Sequence, residues 1–329
     1  MAAIRLGFIG FGIMGERLLR AAVAHDPAVL VPSGVWDPSP KAMARLAEAL
    51  PAVPRLADRA AVLAASDCIY VASPPASHLD HAAAILEAGK AAFLEKPLAV
   101  DAEAAGRYVG ALAALSGRAA VNFPFASSLA VAQIAAWIAD GAVGRPRRLD
   151  IEVAFRTWPR PWQAEAAGWL SRRAEGGFTR EVVSHFLFLT RRRLGPLTLL
   201  GHGVEYPGVD HLGGDGSETA IAASLTAGAV PVRLAGGVGT TDKDDHNLWM
   251  LEGEAGAVRL RDWSVAERRE PDGSWRAAPD AMPNERARPL VLARQLDAVA
   301  AMTRGEAHPL ATPAEALDVQ RVVERILAG

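Results

Sequence analysis

The stretch "GFIGFGIMGERLL", residues 7–19, constrains the fold more than any other part of the chain. A short apolar run, Ile4 to Ile9, ends in Gly10-x-Gly12-x-x-Gly15, and Leu18, Leu19 and Val23 follow at helical spacing. Glycine costs about 0.5–1 kcal/mol against alanine inside regular structure, so three of them at a strand-to-helix turn mark a backbone requirement. The dinucleotide fingerprint has that requirement: a tight turn, a backbone close to a pyrophosphate, and a helix packed against its strand with its N-terminal N–H groups facing the anion. Its second half is an acidic residue at the end of the next strand. Asp37 stands there, 22 positions after Gly15. We therefore expect Gly10, Phe11, Gly12, Ile13, Met14 and Gly15 to cradle phosphates and Asp37 to accept hydrogen bonds from ribose. A carboxylate at that place repels a 2′-phosphate, so NAD is expected in preference to NADP.

The same N-terminus invites a second reading, a secretory signal with "AVA" at Ala22 to Ala24 as its cleavage site. Its glycines and Glu16 interrupt the apolar core, and cleavage would destroy the strand and the fingerprint together, so a cytoplasmic protein is expected. No apolar run reaches the length of about 18 residues that spanning a bilayer requires. A formal net charge of −2, with both signs interspersed, leaves no nucleic-acid footprint, and "TRRRLG" at Thr190 to Gly195 reads as a solvated helix end. Cys68 is the sole cysteine and lies in "CIYVAS", a buried-strand pattern in keeping with a reducing compartment.

With 329 residues, half of them hydrophobic, the chain is long enough for two domains. Candidate strands Ile4–Ile9, Val31–Trp36, Cys68–Ala72, Ala92–Glu95 and Ala119–Asn122 alternate with alanine-rich helical segments, which predicts a doubly wound parallel sheet, a Rossmann domain over 1–123. After one helical stretch, Leu129 to Asp140, strand-like runs succeed one another without helices: Arg148–Phe155, Thr198–Val204, Glu218–Leu225, Val230–Gly236, Asn247–Glu252 and Ala257–Arg261. That texture predicts an α+β second domain, 124–329, with a large, mostly antiparallel sheet, so the chain as a whole is α/β. Thr312, Pro313 and Glu315 announce a final helix, 313–327, expected to return to the first domain.

Ligands of open parallel sheets bind beyond the carboxyl ends of the strands. Three stretches qualify: "GFG" from Gly10, "SPPASHLDH" from Ser73, and "LEKPLAV" from Leu94. Pro74 and Pro75 stiffen the second loop where a helix must restart. Lys96 leaves an apolar strand beside Glu95 and ahead of Pro97, which makes it either one half of a surface pair or a functional ammonium. Arg172 and Arg173 in "WLSRRAEGG" could clamp a carboxylate or phosphate bidentately, or belong to a solvated loop. Trp158, Trp162 and Trp169 suit pocket walls or burial alike. His78, Asp80 and His81 find no further ligands at metal spacing, and His246 among Asp242, Asp244 and Asp245 reads as a polar turn; no metal is expected.

Together, the glycine turn, Asp37, "SPPASHLDHAAAILEAGKAAFLEKP" and "GGFTREVVSHFLFL" resemble the Gfo/Idh/MocA family of NAD(P)-dependent oxidoreductases. The likeness is dense over Ile4 to Leu98 and returns at Gly176 to Leu189 and in "GEAHPLATPAEALDVQRVVERIL". The resemblance implies a Rossmann domain followed by a domain whose open sheet often joins subunits, hence a homodimer or homotetramer. It implies hydride transfer between nicotinamide and a sugar, cyclitol or related carbonyl/alcohol, or an imine/amine. It adds Ser73, Pro74, Pro75, His78, Glu95 and Lys96 to the cofactor site. Lys96 and His185 would be catalytic, His185 as acid/base, with Asn122, Trp162, Arg172 and Arg173 beside them at the substrate. On pattern alone His185 in "VVSHFLFL" reads as a core histidine; an alcohol losing hydride must also lose a proton, and imidazole titrates nearest neutrality.

The chain departs from the family pattern twice. Glu181 stands where aspartate is usual, four residues before His185, and Val183 replaces a glycine; at α-helical spacing Glu181 shares a face with His185 and would orient it. In "VNFPFASS", Phe123, Pro124 and Phe125 stand where many relatives carry arginines, making that part of the cleft more apolar. The alternatives are an NAD-dependent glycosidase or lyase that uses transient oxidation, and a cofactor-bound sensor without turnover.

Overall fold

A computed structural model describes residues 2–112, 118–208 and 212–328. The chain divides into two compact units, Met1–Ala126 with Pro289–Leu317, and Ser127–Arg288 with Asp318–Gly329.

The first unit alternates strands and helices: β1 (Ile4–Ile9), α1 (Ile13–Val23), β2 (Leu30–Trp36), α2 (Pro40–Ala49), α3 (Arg59–Ala65), β3 (Cys68–Val71), α4 (His78–Glu87), β4 (Ala91–Leu94), α5 (Ala102–Leu112) and β5 (Ala119–Val121). All pairings are parallel, in the order β2-β1-β3-β4-β5. A parallel sheet is covered on both faces, which is why its central strands are continuous apolar runs. Every residue of β3 and β4 is buried. Phe8, Tyr70 and Phe93, on three adjacent strands, pack edge-on at 5.8 Å and stacked at 5.3 Å between ring centroids. Strand order reverses between β1 and β3, so a crevice opens beyond their carboxyl ends, where the glycine turn and the Ser73 loop begin.

The second unit contains α6 (Leu129–Ala139), β6 (Pro146–Phe155), α7 (Ala167–Leu170), α8 (Ser184–Leu194), β7 (Leu197–Glu205), β8 (Ala220–Ala227), β9 (Val230–Val238), β10 (Asp245–Gly253), β11 (Ala257–Arg261), β12 (Val265–Arg269) and β13 (Trp275–Ala277). Its eight strands run β13-β12-β11-β10-β6-β9-β8-β7, and only the β6–β9 pair is parallel. Burial alternates along β8 to β10, as one covered face demands. Ile221, Leu225, Val232, Leu234, Trp249 and Leu251 point to the covered face, and the Trp249 indole donates to Thr190 Oγ1 on α8 at 2.9 Å.

Two helices close the chain, α9 (Asn284–Arg304) and α10 (Pro313–Leu327). From Pro289 onward α9 belongs to the first unit, where Leu292, Leu296, Val299 and Met302 join the apolar core. The final helix, expected to return to the first domain, is instead divided. Pro313–Leu317 belongs to the first unit, and from Asp318 the chain belongs to the second. There Arg191 Nε donates to Asp318 at 2.9 Å, Arg180 pairs with Glu324 at 2.7 Å, and the Tyr206 hydroxyl donates to the Leu327 carbonyl at 2.7 Å. No helix of the described residues is long and apolar enough to cross a membrane.

Candidate active site

The glycine turn separates its three glycines into three physical roles. Gly10 has φ +98°, and a Cβ there would lie 2.7 Å from the Ala72 backbone, so only glycine lets β1 and β3 end this close together. At Gly15 a Cβ would overlap the Gly10 carbonyl, so α1 packs on the turn only without a side chain. Around Gly12 there is open space, with nothing within 4 Å of a Cβ. Gly12 is also the N-cap of α1 and no side chain caps the helix. An open approach to uncapped helix N–H groups, with the partial positive charge of a helix N-terminus, fits a dinucleotide pyrophosphate. Ile13 and Met14 begin α1; the Met14 sulfur accepts from Arg17 at 3.6 Å.

Asp37 follows β2 directly and fixes the turn. Its Oδ2 accepts the Phe11 N–H at 2.7 Å and its Oδ1 the Ser39 N–H at 2.8 Å. The Phe11 carbonyl accepts from Arg45, whose guanidinium lies over the Phe11 ring at 5.1 Å. Phe11 is therefore held at both ends of its peptide unit.

The second and third loops are joined through His78, which is completely buried. Its Nδ1 lies 2.8 Å from the Pro97 carbonyl oxygen and its Nε2 2.8 Å from that of Ser73. Burial pulls the His78 pKa below the usual histidine value, the two carbonyls opposing. Ser73 also accepts from the Ser77 hydroxyl at 2.7 Å, and Pro74 and Pro75 lead into a single helical turn, Pro75–Ser77. The Lys96–Pro97 peptide is cis. Lys96 follows β4, half-buried, and its charge is felt at His78.

Beside it Glu95 turns inward. Its carboxylate accepts from the Tyr70 hydroxyl and from Asn122 Nδ2 at 2.7 Å, while Asn122 Oδ1 accepts from Gln295 Nε2 at 2.6 Å. This chain of buried polar groups links β3, β4, the end of β5 and α9. Burial first, and the Glu95 carboxylate second, push the Tyr70 pKa well above its usual value. Each member satisfies a neighbour that would otherwise be a buried, unpaired polar group. Glu95 is thus an internal anchor of the Lys96 loop. Asn122, expected at the substrate, has both ends of its amide committed inside the first unit.

In the second unit the segment Thr179–Val183 is a π-helix that runs into α8. Its turns close i→i+5, so the α-helical i,i+4 relation expected between Glu181 and His185 is altered; such widened turns recur at functional sites. His185 is buried, with its ring 5.6 Å from that of Trp263 in a T-shaped contact. Trp263 sits in the turn between β11 and β12 at φ +72°, next to Asp262 at φ +48°. That turn is held by Trp263 N–H donating to Asn247 Oδ1 at 2.9 Å and by His246 Nδ1 lying 2.6 Å from Asp262 Oδ1. His246 therefore pairs across strands.

Glu218, which sequence reasoning missed, holds the other end of the segment. It is 2% exposed and accepts the Thr179 N–H at 2.6 Å, and its carboxylate occupies the space a Gly177 side chain would need. Burial raises its pKa despite that bond and the nearby Arg180. The arginines expected as a clamp are engaged within the unit. Arg172 pairs with Asp215 at 2.9 Å, and Arg173 lies 3.7 Å over the Tyr206 ring. Trp162 stacks on Arg160, 4.7 Å from the guanidinium carbon to the ring centre. Among the described residues, no three His, Cys, Asp or Glu side chains group as a metal site.

Residues 4–123 match the model of the GFO_IDH_MocA oxidoreductase family, NAD-binding Rossmann fold. An inositol 2-dehydrogenase of Rhizobium meliloti (strain 1021) is 27% identical over 192 residues, 58% of this chain; the chain spans about half, 55%, of that relative's length. Two solved structures share the fold along nearly the whole chain. An inositol dehydrogenase homologue from Azotobacter vinelandii, complexed with NAD+, superposes with a TM-score of 0.80 at 18% identity, covering 99% of this chain and 95% of its own. A 3-ketoreductase from Actinomadura kijaniata, in complex with NADP and TDP-benzene, gives 0.79 at 20% identity, covering 99% and 98%. The matched residues thus include the glycine turn, Asp37, the proline pair, His78 and Lys96, while the His185 segment lies outside them.

Proposed function

We propose that this protein is an NAD-dependent oxidoreductase that exchanges a hydride with a small carbonyl/alcohol substrate of the sugar or cyclitol class. The observation that carries the reading is the glycine cradle, open at Gly12 and closed at Gly10 and Gly15, over an uncapped helix. The curated relative's name, inositol 2-dehydrogenase, supports the substrate class. Asp37 supports NAD over NADP, because its carboxylate is fixed at the end of β2 where a ribose 2′-substituent would arrive.

When bound, the nicotinamide supplies the hydride acceptor or donor. His185 takes the hydroxyl proton as the alcohol is oxidised and returns it in reduction, an imidazole being suited to both directions near neutral pH. Lys96 donates a hydrogen bond to the reacting oxygen and stabilises its developing negative charge. Glu181 orients the imidazole through the π-helical segment. The open face of the eight-stranded sheet, where Leu200, Ala222, Ser224 and Ala235 are exposed, is the surface we assign to contact between subunits.

The test has two readouts. Titration with NADH and NADPH, followed through tryptophan-excited nicotinamide fluorescence, is expected to show tight NADH and weak NADPH binding, with Asp37→Ala narrowing the difference. Turnover of polyols with NAD is expected to vanish in Lys96→Ala and His185→Ala while NADH still binds to His185→Ala. Equal turnover in both variants would remove the assignment; binding without turnover of any carbonyl, alcohol or imine would indicate a sensor.

A further inference from the structure

The helix that carries His185 starts from a residue with no side chain to cap it. Gly177, at φ +97°, supplies the first acceptor: its carbonyl takes the Glu181 N–H at 3.1 Å, an α-helical turn. The next turn is wider, because the Ser184 N–H reaches back five residues to the Thr179 carbonyl. A helix N-terminus leaves its first N–H groups without intrahelical acceptors, and a side-chain oxygen at the N-cap ordinarily takes one of them. Here that oxygen comes from Glu218, just ahead of β8, whose Oε1 accepts the Thr179 N–H at 2.6 Å. A Cβ on Gly177 would overlap Glu218 Oε2, so the carboxylate fills the place of the cap that glycine lacks.

Glu218 is itself fixed. The N–H groups on either side of it are bonded, Ser217 to the Ser171 carbonyl and Thr219 to the Glu205 carbonyl, both at 2.8 Å. Burying a carboxylate is costly unless hydrogen bonds satisfy it, and negative charge at a helix N-terminus is favourable. Next to Thr179, Arg180 is bound doubly to Glu324 on α10, Nε to Oε1 and Nη2 to Oε2, each at 2.7 Å. Its Nη1 donates to the carbonyls of Arg173 at 2.7 Å and Gly176 at 2.9 Å. Past the wide turn α8 is held from the sheet, by the Trp249 indole on Thr190 and by Trp263 against His185.

Holds at both ends account for the π-helical turn between them. A helix free at its start sheds the extra residue by slipping one position and rewinding as α, which turns the side chains ahead of it by about 100° around the axis. Glu218 and Arg180 block that slip before the turn, and the sheet blocks it behind. Glu181 lies inside the turn and His185 just beyond it, so the direction of one relative to the other depends on the turn staying wide.

We propose that Glu218 is a positioning residue, a cap supplied from far along the chain that keeps the π-helical turn wide and so sets Glu181 against His185. This rests on the oxidoreductase reading for the proton chemistry of His185, and on the hydrogen bonds alone for the placement.

Three variants of the full chain test it. Glu218→Gln keeps an acceptor oxygen at the same reach, Glu218→Asp keeps the charge on a side chain one methylene shorter, and Glu218→Ala removes both. In histidine-labelled protein without cofactor, the NMR signal of the His185 ring is the one missing from His185→Gln. At about pH 9 an imidazole of ordinary pKa is neutral, so the signal's position reports surroundings and not charge. Glu218→Asp and Glu218→Ala are expected to displace that signal, and Glu218→Gln to leave it at the parent position. Amide exchange across residues 178–183 is expected to quicken roughly fivefold in the same two variants, the worth of a typical N-cap. Should Glu218→Ala not fold, Glu218→Asp carries the comparison. A His185 signal unmoved in Glu218→Asp, even with a lowered Tm, reduces Glu218 to a structural cap and overturns the proposal. Equal displacement in Glu218→Gln and Glu218→Asp locates the effect in the charge and overturns it too. An NADH titration of the parent keeps the two readings apart: NADH binding with an indifferent His185 signal refutes only the positioning, and a Glu218-dependent signal without NADH binding refutes only the oxidoreductase.

Discussion

The glycine turn makes a prediction in which stability and ligand binding separate. Replace Gly12 and Gly15, in turn, by alanine. At Gly12 the backbone is extended, φ −78° and ψ −168°, which any L-residue adopts, and the new methyl meets nothing within 4 Å. Two opposed small terms act on the fold: alanine is a poorer N-cap than glycine, and it restricts the unfolded chain. They leave the stability within about 1 kcal/mol, a Tm change of roughly 1–2 °C for a chain of this size. The methyl occupies the side from which a pyrophosphate must approach the helix N–H groups. Loss of one charge-assisted hydrogen bond, about 1.5–3 kcal/mol, weakens NADH roughly tenfold to 150-fold. At Gly15 the added carbon lies 3.0 Å from the Gly10 carbonyl carbon and overlaps its oxygen, and backbone has no rotamer with which to give way. Overpacking of that kind costs about 1–3 kcal/mol or more, so Gly15→Ala lowers Tm as well as binding. Thermal denaturation and NADH fluorescence titration read the two effects. A Gly12→Ala protein that binds NADH within twofold of the parent, or that loses as much Tm as Gly15→Ala, would falsify the division of roles.

Two further predictions follow from buried ionisable groups. Burial pushes the Cys68 thiol up to about 12, so the thiolate is negligible near neutral pH; a thiol reagent should react slowly with the native chain and at once after denaturation, and rapid native labelling would contradict the burial. Burial likewise raises the Glu218 carboxyl above its unfolded value, so the native state holds that proton more tightly, and the stability this contributes is lost as pH rises through the raised pKa. Glu218→Gln removes that loss: its Tm should gain on the parent as pH rises from about 4 toward neutrality, while parallel Tm–pH profiles would refute the linkage.

Much of the first unit was legible because its signals are local. The expected strands of the parallel sheet match β1 to β5 to within a residue at each end, since strands buried on both faces must be apolar throughout. The second sheet was legible as a succession of strands, but β12 and β13 were not, because "VAERR" and "WRA" pair at an edge and carry charge instead of apolar periodicity. The long helix α9 was hidden by Pro289 and by polar residues in its first turns. Glu218 left no signal at all. A single acidic residue ahead of a strand is common, and only the fold brings it to the N–H of Thr179, 39 residues earlier in the chain.

The sequence alone determined where the chain turns, which strands are buried, and that an acidic residue follows the glycine turn at the distance a ribose requires. Those properties depend on neighbours along the chain, on φ/ψ freedom and on the period of apolar residues. Tertiary structure decided which polar groups are spent inside the protein and which are left to meet a ligand. Asn122 and Glu95 satisfy each other and Tyr70, and Arg172 is engaged by Asp215, whereas the helix N-terminus at Gly12 has no side-chain cap. Hydrogen bonding and desolvation depend on atoms brought together from distant positions, so no window of sequence could rank these side chains.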